Sequence, residues 1–212
     1  MAKIILLGAP GAGKGTQAEV LNQKLGIPTI STGNILKAAI REGTPLGLQA
    51  KSYIESGALV PDATIIGIIK ERLAQDDCKN GYILDGVPRT VAQAQALDDM
   101  GIEITNVISI EVPDENIINR LTGRIICSKC GSSYHKVAKK PKVEGVCDLC
   151  GGKLVTRSDD EHDTVVKRLA TYHELTEPLK GYYEKKGILA SIDGTKSVEE
   201  TSKALLSVIG VL

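Results

Sequence analysis

A glycine-rich segment near the start of the chain has the composition of a phosphate-binding loop. Residues 8–16, GAPGAGKGT, follow a short apolar run, precede a helical pattern and match the spacing G-x-x-x-x-G-K. Glycines permit a turn whose backbone N–H groups point inward at a phosphate, and the helix N-terminus adds its positive dipole end. Lys14 is placed to reach the β- and γ-phosphates of a nucleotide. We therefore expect a nucleotide-binding phosphotransferase.

The residue after the lysine departs from the usual pattern. Gly15 stands where a serine or threonine commonly follows the lysine, and the hydroxyl comes one place later, at Thr16. Direct ligation of Mg²⁺ by that hydroxyl is therefore left open. Asp85 closes a second apolar run, and a carboxylate there would hold Mg²⁺ through water. The alternative is that Asp85 only ends a strand.

Four of the five cysteines form two close pairs. Cys127 and Cys130, then Cys147 and Cys150, are two Cys-x-x-Cys pairs separated by 16 residues. This spacing is typical of tetrahedral zinc, and four thiolates leave no open ligand position, so the metal would be structural. The alternative is two disulfides or free thiols. We expect Cys78 to be an unpaired thiol without a role.

Short apolar runs alternate with helical patterns along most of the chain. The predicted strands are residues 3–7, 82–84, 107–112 and 188–192, with a possible fifth at 27–30. The predicted helices are residues 13–25, 90–100, 114–121, 164–186 and 197–209. This alternation predicts an α/β fold with a doubly wound parallel sheet covered by helices on both faces. Residues 32–75 and 123–160 break the alternation and are predicted to be insertions on the core.

The overall charge balance does not indicate a broad electrostatic surface for nucleic acid or membrane. Lysine plus arginine and aspartate plus glutamate each number 26, so anions must be bound by locally placed cations. No apolar run approaches the roughly 20 residues that span a bilayer, and no signal segment is apparent. We expect a soluble cytoplasmic protein with an aliphatic core, since phenylalanine and tryptophan are absent.

Five motifs, taken in order, resemble those of adenylate kinases. They are GAPGAGKGTQ at 8–17, STGN at 31–34, LVPD at 59–62, DGVPRT at 85–90 and RSDD at 157–160. The resemblance extends over nearly the whole chain, and the cysteines resemble the zinc-bearing bacterial type with a long lid. It implies a monomer that transfers the γ-phosphoryl group of ATP to AMP, giving two ADP, with structural zinc and with Mg²⁺ bound to ATP.

The resemblance also implies how the chain is divided. A five-stranded P-loop core would comprise residues 1–30, 61–122 and 161–212. A helical AMP-binding insertion would comprise residues 31–60, and a zinc-bearing ATP lid residues 123–160.

The site residues follow from the same resemblance. The implied ATP contacts are Gly11, Ala12, Gly13, Lys14, Gly15, Thr16, Arg120, Arg124, Ser133, Tyr134 and Lys196. The implied AMP contacts are Thr32, Lys37, Ala58, Leu59, Val60, Gly86, Val87, Pro88, Arg89, Gln93, Arg157 and Arg168. The residues implied to act on the transferring phosphates are Lys14, Arg89, Arg124, Arg157 and Arg168.

Arginines suit this chemistry because their planar forks bind phosphate oxygens in a bidentate manner. Arg120 and Arg124 are four residues apart and are expected to share one helix face. Lys37 stands where the family usually has arginine, which keeps the charge but loses the fork. Asn34 replaces the family's usual aspartate. Val87 replaces its usual phenylalanine, and we expect this second change to affect packing more than chemistry.

Base choice depends on two positions. Thr32 and Gln93 occupy the places where the family reads the AMP base, and a glutamine amide offers the adjacent donor and acceptor that match adenine. The first alternative, a kinase for UMP or CMP, is disfavoured by these two residues. The second alternative, a zinc-ribbon ATPase that binds nucleic acid, is disfavoured by the zero net charge and by the absence of tryptophan and phenylalanine for stacking. The expected partners are ATP and AMP or ADP.

Overall fold

The computed structural model describes residues 1–211 and contains eight strands. They are β1 (Ala2–Leu7), β2 (Thr29–Ser31), β3 (Gly81–Asp85), β4 (Asn106–Glu111), β5 (Arg124–Cys127), β6 (Ser133–His135), β7 (Leu154–Val155) and β8 (Leu189–Asp193). Five of them form a parallel sheet in the order β2-β3-β1-β4-β8. The predicted doubly wound five-stranded sheet is confirmed, including its fifth strand at residues 29–31.

Nine α-helices connect and cover the strands in the described part of the chain. They are α1 (Lys14–Leu25), α2 (Thr32–Glu42), α3 (Pro45–Ser56), α4 (Asp62–Leu73), α5 (Val91–Asp99), α6 (Asp114–Thr122), α7 (His162–Thr171), α8 (Leu179–Lys185) and α9 (Val198–Val208). None of the helices in residues 1–211 combines the length and the apolar character that crossing a membrane requires.

Each face of the sheet carries its own hydrophobic core. Successive side chains of β1 point to opposite faces, so Ile4 and Leu6 pack into one cluster with α1, α6, α7 and α9. Ile5 and Leu7 pack into the other with residues of α2 to α5 and α8. All four side chains are at most 4% exposed. Burying such a side chain on folding contributes roughly 1.5–3 kcal/mol, so the continuous apolar strands drive the three-layer arrangement.

The helix predicted over residues 164–186 is wrong in one respect, because it is interrupted. The α-helix α7 ends at Thr171, a π-helical turn follows at Tyr172–Thr176, and α8 starts only after Pro178. Proline has no N–H to donate within the helix, and its ring crowds the preceding turn. The interruption places the Thr176 hydroxyl against the cleft, where it donates to the carbonyl oxygen of Arg89 at 2.8 Å.

The first insertion is helical. Helices α2 and α3 pack closely at Gly47, where a Cβ atom would lie 2.1 Å from the carbonyl oxygen of Ala39. Only glycine permits that approach. Thr44 caps α3 by accepting a hydrogen bond from the Gly47 N–H at 3.1 Å.

The second insertion is a small antiparallel sheet in the order β6-β5-β7. Its apolar cluster contains only four buried residues, Cys127, Tyr134, Cys147 and Leu154. Half of this cluster is cysteine, so the segment has little aliphatic packing of its own.

The expectation that Arg120 and Arg124 share a helix face is wrong. Helix α6 ends at Thr122, Gly123 follows, and Arg124 is the first residue of β5. A Cβ atom on Gly123 would lie 2.2 Å from Nε2 of His135, so β6 packs directly on the helix end. The two arginines therefore lie on different elements, because the chain passes from helix to strand between them.

Candidate active site

A large cleft of about 1050 Å³ opens at the carboxyl ends of the parallel strands. Loops that follow β1, β2, β3 and β8 meet there, together with both insertions, and ligands commonly bind at this edge of open α/β sheets. All the residues predicted to contact ATP line this cleft, as do all those predicted to contact AMP except one. The exception is Val87, which is 0% exposed and packs in a hydrophobic core.

The glycine-rich loop forms the turn that the sequence predicted. Gly13 has φ +104°, in the region that favours glycine, and it precedes the first residue of α1. Lys14 extends back over this loop, and its Nζ donates to the carbonyl oxygens of Gly8 at 2.7 Å and Ala9 at 2.9 Å. The loop and the start of α1 therefore form a cationic, N–H-rich end of the cleft.

The ammonium group of Lys14 is electrostatically unusual. Its side chain is half-buried by surface area, but the walls of the cleft surround it. This desolvation, together with the charges of Arg89 and Arg168, lowers the pKa of Lys14 to about 8, although the charge of Asp85 opposes the change. A polyanion bound beside the lysine would favour its charged form.

Asp85 lies where a magnesium partner is expected. It ends β3, and its Oδ2 is 3.9 Å from the position that a Cβ atom of Gly15 would occupy. A larger residue at 15 would therefore project toward this carboxylate. Asp85 and the exposed Thr16 both line the cleft, and their oxygens are of the hard type that Mg²⁺ prefers. The donor set fits a magnesium ion bound with nucleotide phosphates.

Two buried carboxylates organise the arginines. Asp159 and Asp160 are 6% and 1% exposed, in a short 3-10 helix that follows Arg157. Arg124 holds Asp160 in a bidentate manner, with Nε and Nη2 donating at 2.7 and 2.6 Å. Arg168 Nη1 donates to the Asp159 carbonyl oxygen at 2.7 Å and lies 3.3 Å from Asp160 Oδ1.

Asp159 also joins the two insertions. Arg157 Nε donates to its Oδ1 at 2.8 Å, and Lys37 Nζ donates to its Oδ2 at 3.0 Å. Burial alone would raise the pKa of Asp159, but the hydrogen bonds and charge of Arg157 outweigh it and lower the pKa. Four cations thus face two carboxylates, which leaves a net positive surface toward the cleft.

The motifs predict no role for this aspartate pair. The RSDD motif contains the pair, and two adjacent carboxylates close to an arginine could have indicated an ion-pair cluster. Nothing in the sequence alone shows that both would be buried against arginines from three separate segments.

The predicted base-reading residues lie together on the side of the cleft toward α2. Thr32 and Gln93 are each 1% exposed. The Thr32 hydroxyl donates to the carbonyl oxygen of Gly86 at 2.9 Å, and Arg89 Nε donates to the same oxygen at 2.9 Å. With its hydrogen committed, the Thr32 oxygen can only accept a hydrogen bond from a ligand.

The predicted ATP contacts outside the glycine-rich loop come from four segments, which are α6, β5, β6 and the turn after β8. Arg120, on α6, donates from Nη2 to the carbonyl oxygen of Gly194 at 2.8 Å, close to Lys196. Ser133 and Tyr134 reach the cleft from β6. The Tyr134 hydroxyl also accepts from the Asp148 N–H at 2.8 Å and lies 3.5 Å from Cys147 Sγ.

The four paired cysteines come together. The sulfurs of Cys127, Cys130, Cys147 and Cys150 all lie within 4.8 Å of one another. The Cys127–Cys150 and Cys130–Cys147 distances are 3.5 and 3.6 Å, far longer than a disulfide bond and close to the edge of about 3.8 Å that a tetrahedral zinc–thiolate site would have. Backbone N–H groups of residues 129 and 130 point at Cys127 Sγ. The group has the ligand number, type and spacing of a metal site.

The remaining cysteine lies outside this group. Cys78 is a free, buried thiol that contacts Arg72 Nη1 at 3.0 Å, and burial raises its pKa. The thiol form is therefore favoured over the more nucleophilic thiolate.

Comparison with known proteins agrees with the motifs. Residues 6–188 match the family model described as adenylate kinase. Proteins named adenylate kinase from Caldicellulosiruptor saccharolyticus and Agathobacter rectalis are 53% and 54% identical to this chain, over 99% and 98% of it and 99% of each relative. A protein of the same name from Clostridium botulinum is 50% identical over 98% of both chains. With its phosphate loop, arginine-lined cleft and clustered cysteines, this chain belongs to the adenylate kinase family.

Proposed function

We propose that this chain catalyses the reversible, Mg²⁺-dependent transfer of the γ-phosphoryl group of ATP to AMP, giving two ADP by direct in-line displacement. One observation carries the proposal: a single cleft joins a phosphate-binding loop at one end to a buried donor–acceptor pair, Thr32 and Gln93, at the other. Arginines line the space between them. The names of the relatives agree with this activity.

The proposed mechanism depends on positioning and charge. Phosphoryl transfer leaves little covalent work for a protein, which must align the reactants, neutralise charge and exclude water. Lys14 and the loop N–H groups bind the β- and γ-phosphates of ATP. The arginines that surround the transferring group are Arg89, Arg124, Arg157 and Arg168. Asp85 would hold Mg²⁺ through water when the ion is bound with ATP, and the ion would supply further neutralisation of the phosphate charge.

The acceptor nucleotide binds at the opposite side of the cleft. Thr32 and Gln93 read the adenine, while the Ala58 to Val60 segment and the Gly86–Pro88 turn line its pocket. Lys37 contacts the AMP phosphate after exchanging its present partner, Asp159, for the phosphate. Val87 acts only by packing behind the pocket, since it is fully buried.

Two insertions close over the substrates in this proposal. Residues 31–60 form the AMP-binding insertion and residues 123–160 the ATP lid, on a core of residues 1–30, 61–122 and 161–212. The ion pair between Lys37 and Asp159 supports this proposal, because it brings the two insertions within contact distance of each other. Closure would exclude water that would otherwise attack the phosphate.

A structural zinc ion is proposed for the lid, held by Cys127, Cys130, Cys147 and Cys150. Four thiolates complete a tetrahedral shell and leave no position for substrate, so zinc would supply stability and no chemistry. The small apolar cluster of the lid supports this assignment, because the segment has little else to hold it together.

Nucleotide selectivity tests the proposal. The protein is mixed with ATP, Mg²⁺ and each nucleoside monophosphate in turn, and ADP formation is followed. Rapid turnover with AMP and slow turnover with UMP and CMP is expected. Preference for UMP or CMP would indicate a different monophosphate kinase, and ATP hydrolysis that requires added DNA or RNA would indicate the nucleic-acid ATPase. Size-exclusion chromatography with light scattering is expected to give a monomer.

A further inference from the structure

A carboxylate behind the AMP pocket contacts the residue proposed to read the base. Asp62 is the first residue of α4 and does not line the cleft. Its Oδ1 accepts a hydrogen bond from Gln93 Nε2 at 2.7 Å. Its Oδ2 accepts from the hydroxyl of Thr90, the N-cap of α5, at 3.0 Å. Asp62 therefore touches the base-reading glutamine from the side away from the ligand.

A second contact holds the other end of the same amide. The backbone N–H of Arg89 donates to Gln93 Oε1 at 2.7 Å. A carboxylate only accepts and a backbone N–H only donates, so both contacts require the same amide orientation. A rotated amide would place its oxygen against the carboxylate and its NH₂ group against the Arg89 N–H. Gln93 is 1% exposed, so water would not relieve those clashes.

The fixed orientation leaves a defined hydrogen-bonding edge for the ligand. An amide has two N–H donors and two acceptor lone pairs. Asp62 and Arg89 use one of each, so Gln93 keeps one donor and one acceptor in a fixed order. The Thr32 oxygen adds a second acceptor, because its hydrogen goes to Gly86.

This edge distinguishes purines by the group at C6. Adenine carries an amino donor there, beside a ring nitrogen that accepts. A 6-oxopurine carries an acceptor at the same place. We propose that Asp62 is a positioning residue that sets the selectivity of the acceptor site for 6-aminopurines by preventing rotation of the Gln93 amide. The inference rests on the proposed function, in which Gln93 reads the base.

Selectivity between AMP and IMP tests this role. In Asp62→Asn, the new amide can still accept from Thr90, but it can offer either an oxygen or an NH₂ group to Gln93. We expect the ratio of kcat/KM for AMP to that for IMP to fall about tenfold, the loss of roughly one directional base contact. The fall should come mainly through KM for AMP, with KM for ATP unchanged.

Three further variants separate positioning from a merely structural role. In a Gln93→Ala background, Asp62→Asn should change the AMP to IMP ratio less than twofold, because the residue through which Asp62 acts is gone. Thr90→Val removes the other contact of Asp62 and the N-cap of α5, so it should lower Tm and leave the ratio unchanged. Asp62→Ser, whose hydroxyl can either donate or accept, should change the ratio in the same direction as Asp62→Asn and serves if the asparagine variant does not fold.

The outcomes are distinguishable. A wild-type ratio retained in a folded Asp62→Asn or Asp62→Ser protein would overturn the inference, as would an equal fall of the ratio with and without Gln93. A wild-type protein that does not phosphorylate AMP would overturn the proposed function itself, and the inference with it. A tenfold fall that depends on Gln93 would support the positioning role.

Discussion

Replacing Asp160 by asparagine is expected to destabilise the protein substantially and to impair catalysis. The side chain is 0% exposed and accepts hydrogen bonds from Nε and Nη2 of Arg124 at 2.7 and 2.6 Å. Arg168 Nη1 lies 3.3 Å from its Oδ1. Removing one partner of a buried ion pair costs about 3–5 kcal/mol. Both arginine side chains keep about a fifth of their surface exposed, and asparagine can still accept one hydrogen bond. We therefore expect a loss of about 2 kcal/mol in the free energy of unfolding.

Urea denaturation of wild type and variant measures this loss. The matched control is Asp163→Asn, because Asp163 is 96% exposed, contacts only His162 among the described ion pairs and should change stability by less than about 0.5 kcal/mol. The catalytic rate should fall as well, since Arg124 and Arg168 lose the group that orients them. The factor by which kcat falls should exceed the factor by which KM changes for either nucleotide. If Asp160→Asn were as stable and as active as the control, the carboxylate would not organise the arginines.

Three further results are expected. Raising the pH through about 8 should lower kcat/KM for ATP, because Lys14 of the free enzyme loses its proton there. The value of kcat should stay constant to higher pH, since bound phosphates favour the charged lysine. Lys14→Arg should remove the inflection from the pH profile of kcat/KM, and a wild-type profile that is flat from pH 7 to 9 would contradict this prediction. Lys37→Ala should raise KM for AMP about tenfold through loss of one charge-assisted hydrogen bond, and an unchanged KM would refute its role. Elemental analysis should find one zinc per chain, and a chelator should remove it and lower Tm; native protein without metal would exclude the zinc site.

The sequence was most informative where function and local structure depend on the same few residues. The glycine-rich loop, the strand ends and the two cysteine pairs all have local patterns, and the five strands and the cysteine cluster were predicted from them. The first and last predicted strands, residues 3–7 and 188–192, correspond closely to β1 and β8. The π-helical turn was missed although Pro178 was visible, because the apolar pattern continues through it.

The rest could not be predicted because it depends on contacts between distant segments. Arg120 and Arg124 look like a helical pair, but the packing of His135 on Gly123 ends the helix between them. The family motif implied that Val87 contacts AMP, yet its side chain faces the core. Asp159, Asp160 and Asp62 each contact a partner that is distant in the sequence, namely Lys37, Arg124 and Thr90, which lie 122, 36 and 28 residues away, respectively.

Tyr134 belongs to two sites at once. It lines the cleft, and its hydroxyl, which receives the Asp148 N–H, donates toward Cys147 and lowers the pKa of that thiol to about 6. Any event that alters how this tyrosine is held at one site alters it at the other, and such coupling is reciprocal. A metal ion that fixes Cys147 would thereby preorganise one wall of the nucleotide cleft. If the metal and the nucleotide bind as proposed, any change in nucleotide affinity that the metal causes must equal the change in metal affinity that the nucleotide causes.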